Sequence, residues 1–215
     1  ANAKNHGMIL LIDMSGSMAG SMSQVMEQVM HLVMFCKSTN IPFDVYGFTS
    51  TNPNISYEFQ KLNPGVVDLD NLSMPHICSS TFSKSDFNDS IENMYSRITN
   101  SGWGGLSQYE EYGSTPLNQA LIVSTHLVKK FKLKHGIEKM NFITFTDGDA
   151  NRISTYRELS DDNLIRPDYY SAVLNVDGTM IKTSAGSREM SSALLKNMVK
   201  KYSVNTIGFF MTDNN

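Results

Sequence analysis

With 215 residues and 40% hydrophobic content, the chain is sized for one compact domain, or one with an elaborated insertion, rather than two full domains. Its net charge of −3 and pI near 5.9, with lysines and arginines scattered along the sequence, predict no basic face for nucleic acid or for an anionic membrane. Two cysteines without CxxC spacing, Cys36 and Cys78, exclude a disulfide framework and point to a reducing, cytoplasmic setting.

The start, ANAKNHGMILLID, has too short an apolar run for a signal peptide and no small-residue cleavage site behind it. No stretch nears the roughly 20 apolar residues of a membrane span. The N-x-S/T matches at Asn54, Asn71 and Asn88 carry little weight without a secretory signal. Strand-like segments lie close to both ends, so residues 1–215 read as one domain that is open to being a piece of a longer protein.

Gly7 to Ile12 is a continuous apolar run bounded by turn formers, which predicts a strand buried on both faces of a parallel sheet. From Ser21 to Lys37, the residues Met22, Val25, Met26, Val29, Val33 and Cys36 fall at helical spacing, and FDVYGF at 43–48 is the next strand. ISYEF at 55–59 is a candidate third strand, short and antiparallel on the edge; residues 60–84 read as irregular. Phe87, Ile91, Met94 and Ile98 mark a second amphipathic helix closing near Asn100.

A glycine-rich loop, SGWGGLSQYEEYGS, leads into TPLNQALIVSTHLVKKF, where Leu117, Ala120, Leu121, Ser124, Val128 and Phe131 share a face. Thr115 is the expected N-cap of this helix and Pro116 its first residue. MNFITF at 140–145 is another buried strand, followed at once by TDGD. Residues from about 150 to 187 read as an insertion containing a β-hairpin around Asp177-Gly178. Arg188 to Lys201 is a helix with lysines near its end, and VNTIGFF is expected as a last buried strand. The fourteen methionines are spread through the helices and are expected to pack the core.

This alternation predicts an α/β fold: a doubly wound, mostly parallel sheet flanked by helices, with a β-hairpin insertion. In such sheets ligands gather beyond the carboxyl ends of the strands. Asp13-x-Ser15-x-Ser17, Thr115 and Asp147 all fall in loops at that edge. Two carboxylates and three hydroxyls, without His or Cys, form a hard-oxygen set suited to Mg²⁺, or to Mn²⁺ or Ca²⁺, and unsuited to zinc. Alternate residues of the first loop can aim inward, with Gly16 relieving the tight turn. Hydroxyls add no charge, so a bound ion stays electrophilic and can accept a carboxylate from another molecule.

Each motif alone is equally a turn or a helix start; their joint occurrence at three strand ends favours ligation. Around them, Asp149 is either a tuning residue behind the ligands or a solvated loop carboxylate. Glu110, beside Glu111, is either an exposed loop residue or a rim contact, and Trp103 either an anchor for a partner or a half-buried core residue. His76 and Cys78 lack a second pair at ligand spacing, and no residue is assigned a catalytic role.

DMSGSM at 13–18, STPL at 114–117 and TDGD at 146–149 resemble, in order and separation, the metal-ion-dependent adhesion site of von Willebrand factor A domains. The resemblance runs from Gly7 to Met211 and implies a Rossmann-like fold of that family. It further implies that Ser15, Ser17 and Thr115 contact the ion directly or by alternative coordination, and that Asp13 and Asp147 bind it directly or through water. GSTPLNQAL around Thr115 is similar to intracellular members, notably the cobaltochelatase subunit that works with a ring-forming AAA+ ATPase, and magnesium-chelatase relatives.

The function implied is a divalent-cation-dependent, non-catalytic protein-binding module. Its partner would supply an Asp or Glu, with an AAA+ ATPase or its client as the candidate. The alternative is a metal-dependent hydrolase or phosphotransferase using the same cation to activate water. That reading lacks a GxSxG elbow, a Walker A loop and a histidine within the three motifs. An extracellular adhesion domain is a third reading, disfavoured by the missing signal and disulfides.

Overall fold

The structure, a computed structural model, describes residues 5–50, 65–69, 72–99, 113–148, 150–158, 165–168, 173–182 and 187–211. ISYEF at 55–59, Trp103, Glu110, Glu111 and Asp149 lie outside them. The described chain is a mixed α/β arrangement built on a mostly parallel sheet with four α-helices.

The first apolar run forms β1 (His6–Asp13), a short 3-10 turn follows at Gly16–Gly20, and α1 (Met22–Ser38) leads to β2 (Phe43–Ser50). The segment expected to be irregular carries two short strands, β3 (Leu72–Ser73) and β4 (His76–Ser79), both antiparallel to β2. Next come α2 (Lys84–Thr99), α3 (Leu117–His135) and β5 (Lys139–Thr146). The insertion contains two antiparallel ribbons where one was expected: β6 (Thr155–Glu158) with β7 (Ile165–Asp168), and β8 (Val173–Val176) with β9 (Thr179–Lys182). The chain then forms α4 (Ser187–Tyr202) and β10 (Val204–Phe210).

Strand order runs β10-β5-β1-β2-β3, with β4 also on the outer edge of β2 and all of β10, β5, β1 and β2 parallel. The period-2 alternation of β1 explains why the run had to be apolar throughout. Ile9 and Leu11 pack with Met140 and Phe142 against Leu121 and Val128 of α3 and Leu194 and Met198 of α4. Leu10 and Ile12 pack with Val45 and Phe145 against Met26 and Val29 of α1 and Met94 of α2. Met14, Met18, Met22, Met26 and Met94 are fully or almost fully buried, as expected of gap-filling thioethers.

Connections leave β1 and β5 on opposite sides of this pair, since α1 serves the first face and α4 the second. The crevice beyond the ends of β1 and β5 is therefore where the order reverses. Both cysteines are free and buried, and burial pushes each thiol up to about 11. Among the described residues no helix is long and apolar enough to cross a membrane.

Two expectations are corrected by the structure. Helix α3 begins at Leu117 with Pro116 at the cap position, so Thr115 lies one residue before the cap, where its carbonyl accepts the Leu117 N–H at 2.8 Å. VNTIGFF is an edge strand rather than a buried one: Ile207, Phe209 and Phe210 are exposed, Phe210 by 71%. Gly16 does not take a positive φ, and its N–H donates to the Gly113 carbonyl at 3.0 Å.

Candidate cation site

Asp13 ends β1 with no accessible surface, between Phe48 of β2 on one side and the end of β5 on the other. Its Oδ1 accepts the N–H of Ser15 at 2.9 Å, an Asx-type turn that swings the chain out of the strand. Its Oδ2 accepts the hydroxyl of Thr146 at 2.6 Å. Ser15 stands at the N-cap of the 3-10 turn, yet its side chain makes no capping bond. Instead Ser15 Oγ lies 3.2 Å from Ser17 Oγ, and Ser17 Oγ donates to Asp147 Oδ1 at 3.0 Å. The group opens from fully buried Asp13 through buried Ser15 and half-buried Asp147 to exposed Ser17.

Thr115 reaches the same edge through its backbone. Gly113 is clamped by Gly16 N–H on its carbonyl and by its own N–H on Thr49 Oγ1 at 3.0 Å. Ser114 N–H and Oγ both contact Ser50 Oγ, and Asn151 donates its N–H to the Thr115 carbonyl and its amide to Ser114 Oγ. Gly113 is required for this approach, because a Cβ there would lie 2.1 Å from the Ser50 carbonyl oxygen. The Thr115 side chain is half-buried, and its hydroxyl makes no hydrogen bond among the described residues. The structure thus joins Asp13, Ser15, Ser17 and Asp147 directly and brings Thr115 alongside.

Burial raises the Asp13 pKa, against the lowering effect of the Ser15 and Thr146 hydrogen bonds, and the nearby Asp147 carboxylate raises it further. Neither Asp13 nor Asp147 is paired with Lys, Arg or His among the described residues. Two neighbouring carboxylates without a counter-charge, one of them buried, are costly unless something positive neutralises them.

The donor set, hydroxyls and carboxylate oxygens at hydrogen-bonding distance from one another, is compatible with a small hard cation. Ligands about 2.1 Å from an octahedral ion sit about 3.0 Å from one another, and the Ser15–Ser17 and Ser17–Asp147 oxygen separations are 3.2 and 3.0 Å. Among the described residues no group of three or more His, Cys, Asp or Glu converges, so any ion here relies on hydroxyls.

Sequence reading missed Thr146 and the Gly113 clamp. Thr146 stands directly before Asp147 and faces Asp13 from the adjacent parallel strand, a relation that appears only once register is known. Gly113 sits two residues before Thr115, and the glycine itself was the signal.

No protein-family model and no curated protein matches the chain. Among solved structures it is similar to two crystal structures of the pilus adhesin SpaC from Lactobacillus rhamnosus GG. One, in the open conformation, shows 13% identity over 97% of this chain with a TM-score of 0.53. The other shows 14% identity over 96% with a TM-score of 0.51. The pilus adhesin RrgA from Streptococcus pneumoniae aligns over 70% of the chain at 10% identity and a TM-score of 0.39, too low to argue from. The chain spans about a quarter, 24%, of the SpaC chain, and at this identity the likeness concerns the fold alone.

The two SpaC structures overturn the resemblance to von Willebrand factor A domains and to cobaltochelatase subunits, since they are of a pilus adhesin and no family model or curated protein supports either assignment. The metal-ion-dependent adhesion site, its magnesium and the AAA+ partner therefore cannot be inherited from a family. What stands at the sheet edge is the geometry of Asp13, Ser15, Ser17 and Asp147, with Thr115 beside them.

Proposed function

We propose that the chain is a binding module that uses a divalent cation to hold a carboxylate of a partner protein. The observation that carries this reading is the pair Asp13 and Asp147, without a basic partner among the described residues, next to hydroxyls at octahedral-edge spacing. Ser15, Ser17 and Asp147 would ligate the ion, with Thr115 available from the neighbouring loop. Asp13 has one bond on each carboxylate oxygen and contributes charge from beneath. Mg²⁺ suits the spacing best, and Mn²⁺ or Ca²⁺ are the alternatives.

Exposed Ser17 and half-buried Asp147 leave the outer side of the ion accessible, so an Asp or Glu of a partner can complete its coordination. Adhesion, the role named for SpaC, is one form such binding takes. A hydrolytic reading has less support: His76 is engaged by Asp44 and stacked on Tyr46, and His135 packs on Phe131, away from this group.

The test is an array of short peptides carrying single Asp or Glu residues, probed with the chain in Mg²⁺ and in EDTA. Capture that needs both the peptide carboxylate and Mg²⁺, and is lost in Asp13→Ala, is expected. Capture unchanged by EDTA or by Asp13→Ala refutes the reading.

A further inference from the structure

The lysines that look scattered in the sequence are gathered by the fold. Helices α3 and α4 both return the chain to the amino ends of strands β5 and β10, so their carboxyl ends meet at the pole opposite Asp13 and Asp147. Hairpin β8–β9 is pinned over this meeting point. Asp177 at its tip, next to Gly178 with both φ values positive as a type I′ turn requires, contacts Lys129 of α3 at 3.3 Å. It also contacts Lys201 of α4 at 3.0 Å and accepts the Tyr202 hydroxyl. Lys132 crosses from α3 to the Tyr202 carbonyl at 2.6 Å.

The three segments 128–139, 173–182 and 194–202 hold nine of the thirteen lysines and only two acids, Glu138 and Asp177. The rest of a chain with net charge −3 is correspondingly acidic.

Exposed apolar side chains stand among these lysines. Leu133, between Lys132 and Lys134, is 77% exposed, and Val199 precedes Lys200 on α4. The hairpin buries Leu174, Val176 and Ile181 against the core and leaves Val173, Met180 and Lys182 on its open face, Met180 by 64%.

We infer that this pole is a docking surface for a bilayer of anionic phospholipid. Lysine ammonium groups supply the attraction to headgroup phosphates, while Leu133, Val199 and Met180 can enter the interfacial layer. A soluble polyanion such as nucleic acid would gain nothing from those apolar side chains. The three segments also hold no arginine, and none of their aromatic rings is exposed: Phe131 is buried, His135 packs on it, and half-buried Tyr202 is held by Asp177. The inference is independent of the cation site, which lies at the other end of the strands.

The full chain is sedimented with phosphatidylcholine vesicles with and without phosphatidylglycerol, at low and physiological salt. Binding only to the anionic vesicles is expected, weakened roughly tenfold or more by Lys130→Glu/Lys200→Glu, two exposed positions. Leu133→Ser/Met180→Ser is expected to retain binding at low salt and lose it at physiological salt, where the ionic part is screened. Absence of binding to anionic vesicles, or equal binding by the charge-reversed variant, overturns the inference. So does an oligonucleotide that binds the wild type and the apolar variant equally and displaces the vesicles, which would assign the pole to a soluble polyanion.

Discussion

Thr146 donates its hydroxyl to Asp13 Oδ2 at 2.6 Å, tying the ends of β1 and β5 together inside the protein. Both residues are buried, so neither oxygen has water as a substitute. Thr146→Val keeps the side-chain shape and removes the donor. It is expected to cost roughly 1–3 kcal/mol of stability and to push the Asp13 pKa further up, because a bond to the charged carboxylate is lost. Thr146→Ser, which retains the hydroxyl, should fall well short of that loss. Urea unfolding of the two variants beside the wild type measures the difference.

Gly113 and Gly20 give a matched contrast. A Cβ at Gly113 would press within 2.1 Å of the Ser50 carbonyl oxygen and 2.5 Å of its hydroxyl, whereas at Gly20 nothing lies within 4 Å. Gly113→Ala should therefore displace the loop that carries Thr115, break the bond from Gly16 N–H, and lower Mg²⁺ affinity together with stability. Gly20→Ala should leave both within experimental error of the wild type. Thermal melts and Mg²⁺ titrations of the two variants decide this.

Much of this architecture was legible because buried strands and amphipathic helices write their periods into the sequence. GMILLI, FDVYGF and MNFITF announced β1, β2 and β5, and the Asp177-Gly178 dipeptide announced the β8–β9 turn. VNTIGFF failed as a buried strand because an apolar run does not say whether a neighbour covers it; among the described strands β10 pairs with β5 alone. Leu72–Ser73 and His76–Ser79 are too short to carry a period and exist because β2 offers them an edge. The carboxylates and serines of the candidate site were visible as spacing, but the Thr146 bond and the meeting of lysines from α3, α4 and the hairpin depend on long-range register. The family inferred from the same spacing did not survive comparison of the fold, since short polar turns after strands recur without common descent.

Asp177 couples the hairpin to both helices in a pH-dependent way. Hydrogen bonds from Lys201, then Lys129, hold its carboxyl below the usual carboxylate range. A depressed folded-state pKa gives stability that is complete above the unfolded value of about 3.9 and fades as pH falls through the folded value. Asp177→Asn should therefore be less stable than the wild type at neutral pH, with the gap closing in strong acid. The effect should be modest, because the pairs are exposed and screened by salt. Denaturant midpoints of both proteins from neutral to low pH measure it.

Whether the oxygens at the ends of β1 and β5 hold a divalent cation is decided by calorimetric titration of Mg²⁺ alone into the full chain. One saturable site per chain is expected, lost in Asp147→Ala, weakened in Ser17→Ala, and unaffected by Asp177→Asn at the opposite pole. Absence of saturable binding in the wild type, or wild-type affinity in Asp147→Ala, would contradict it.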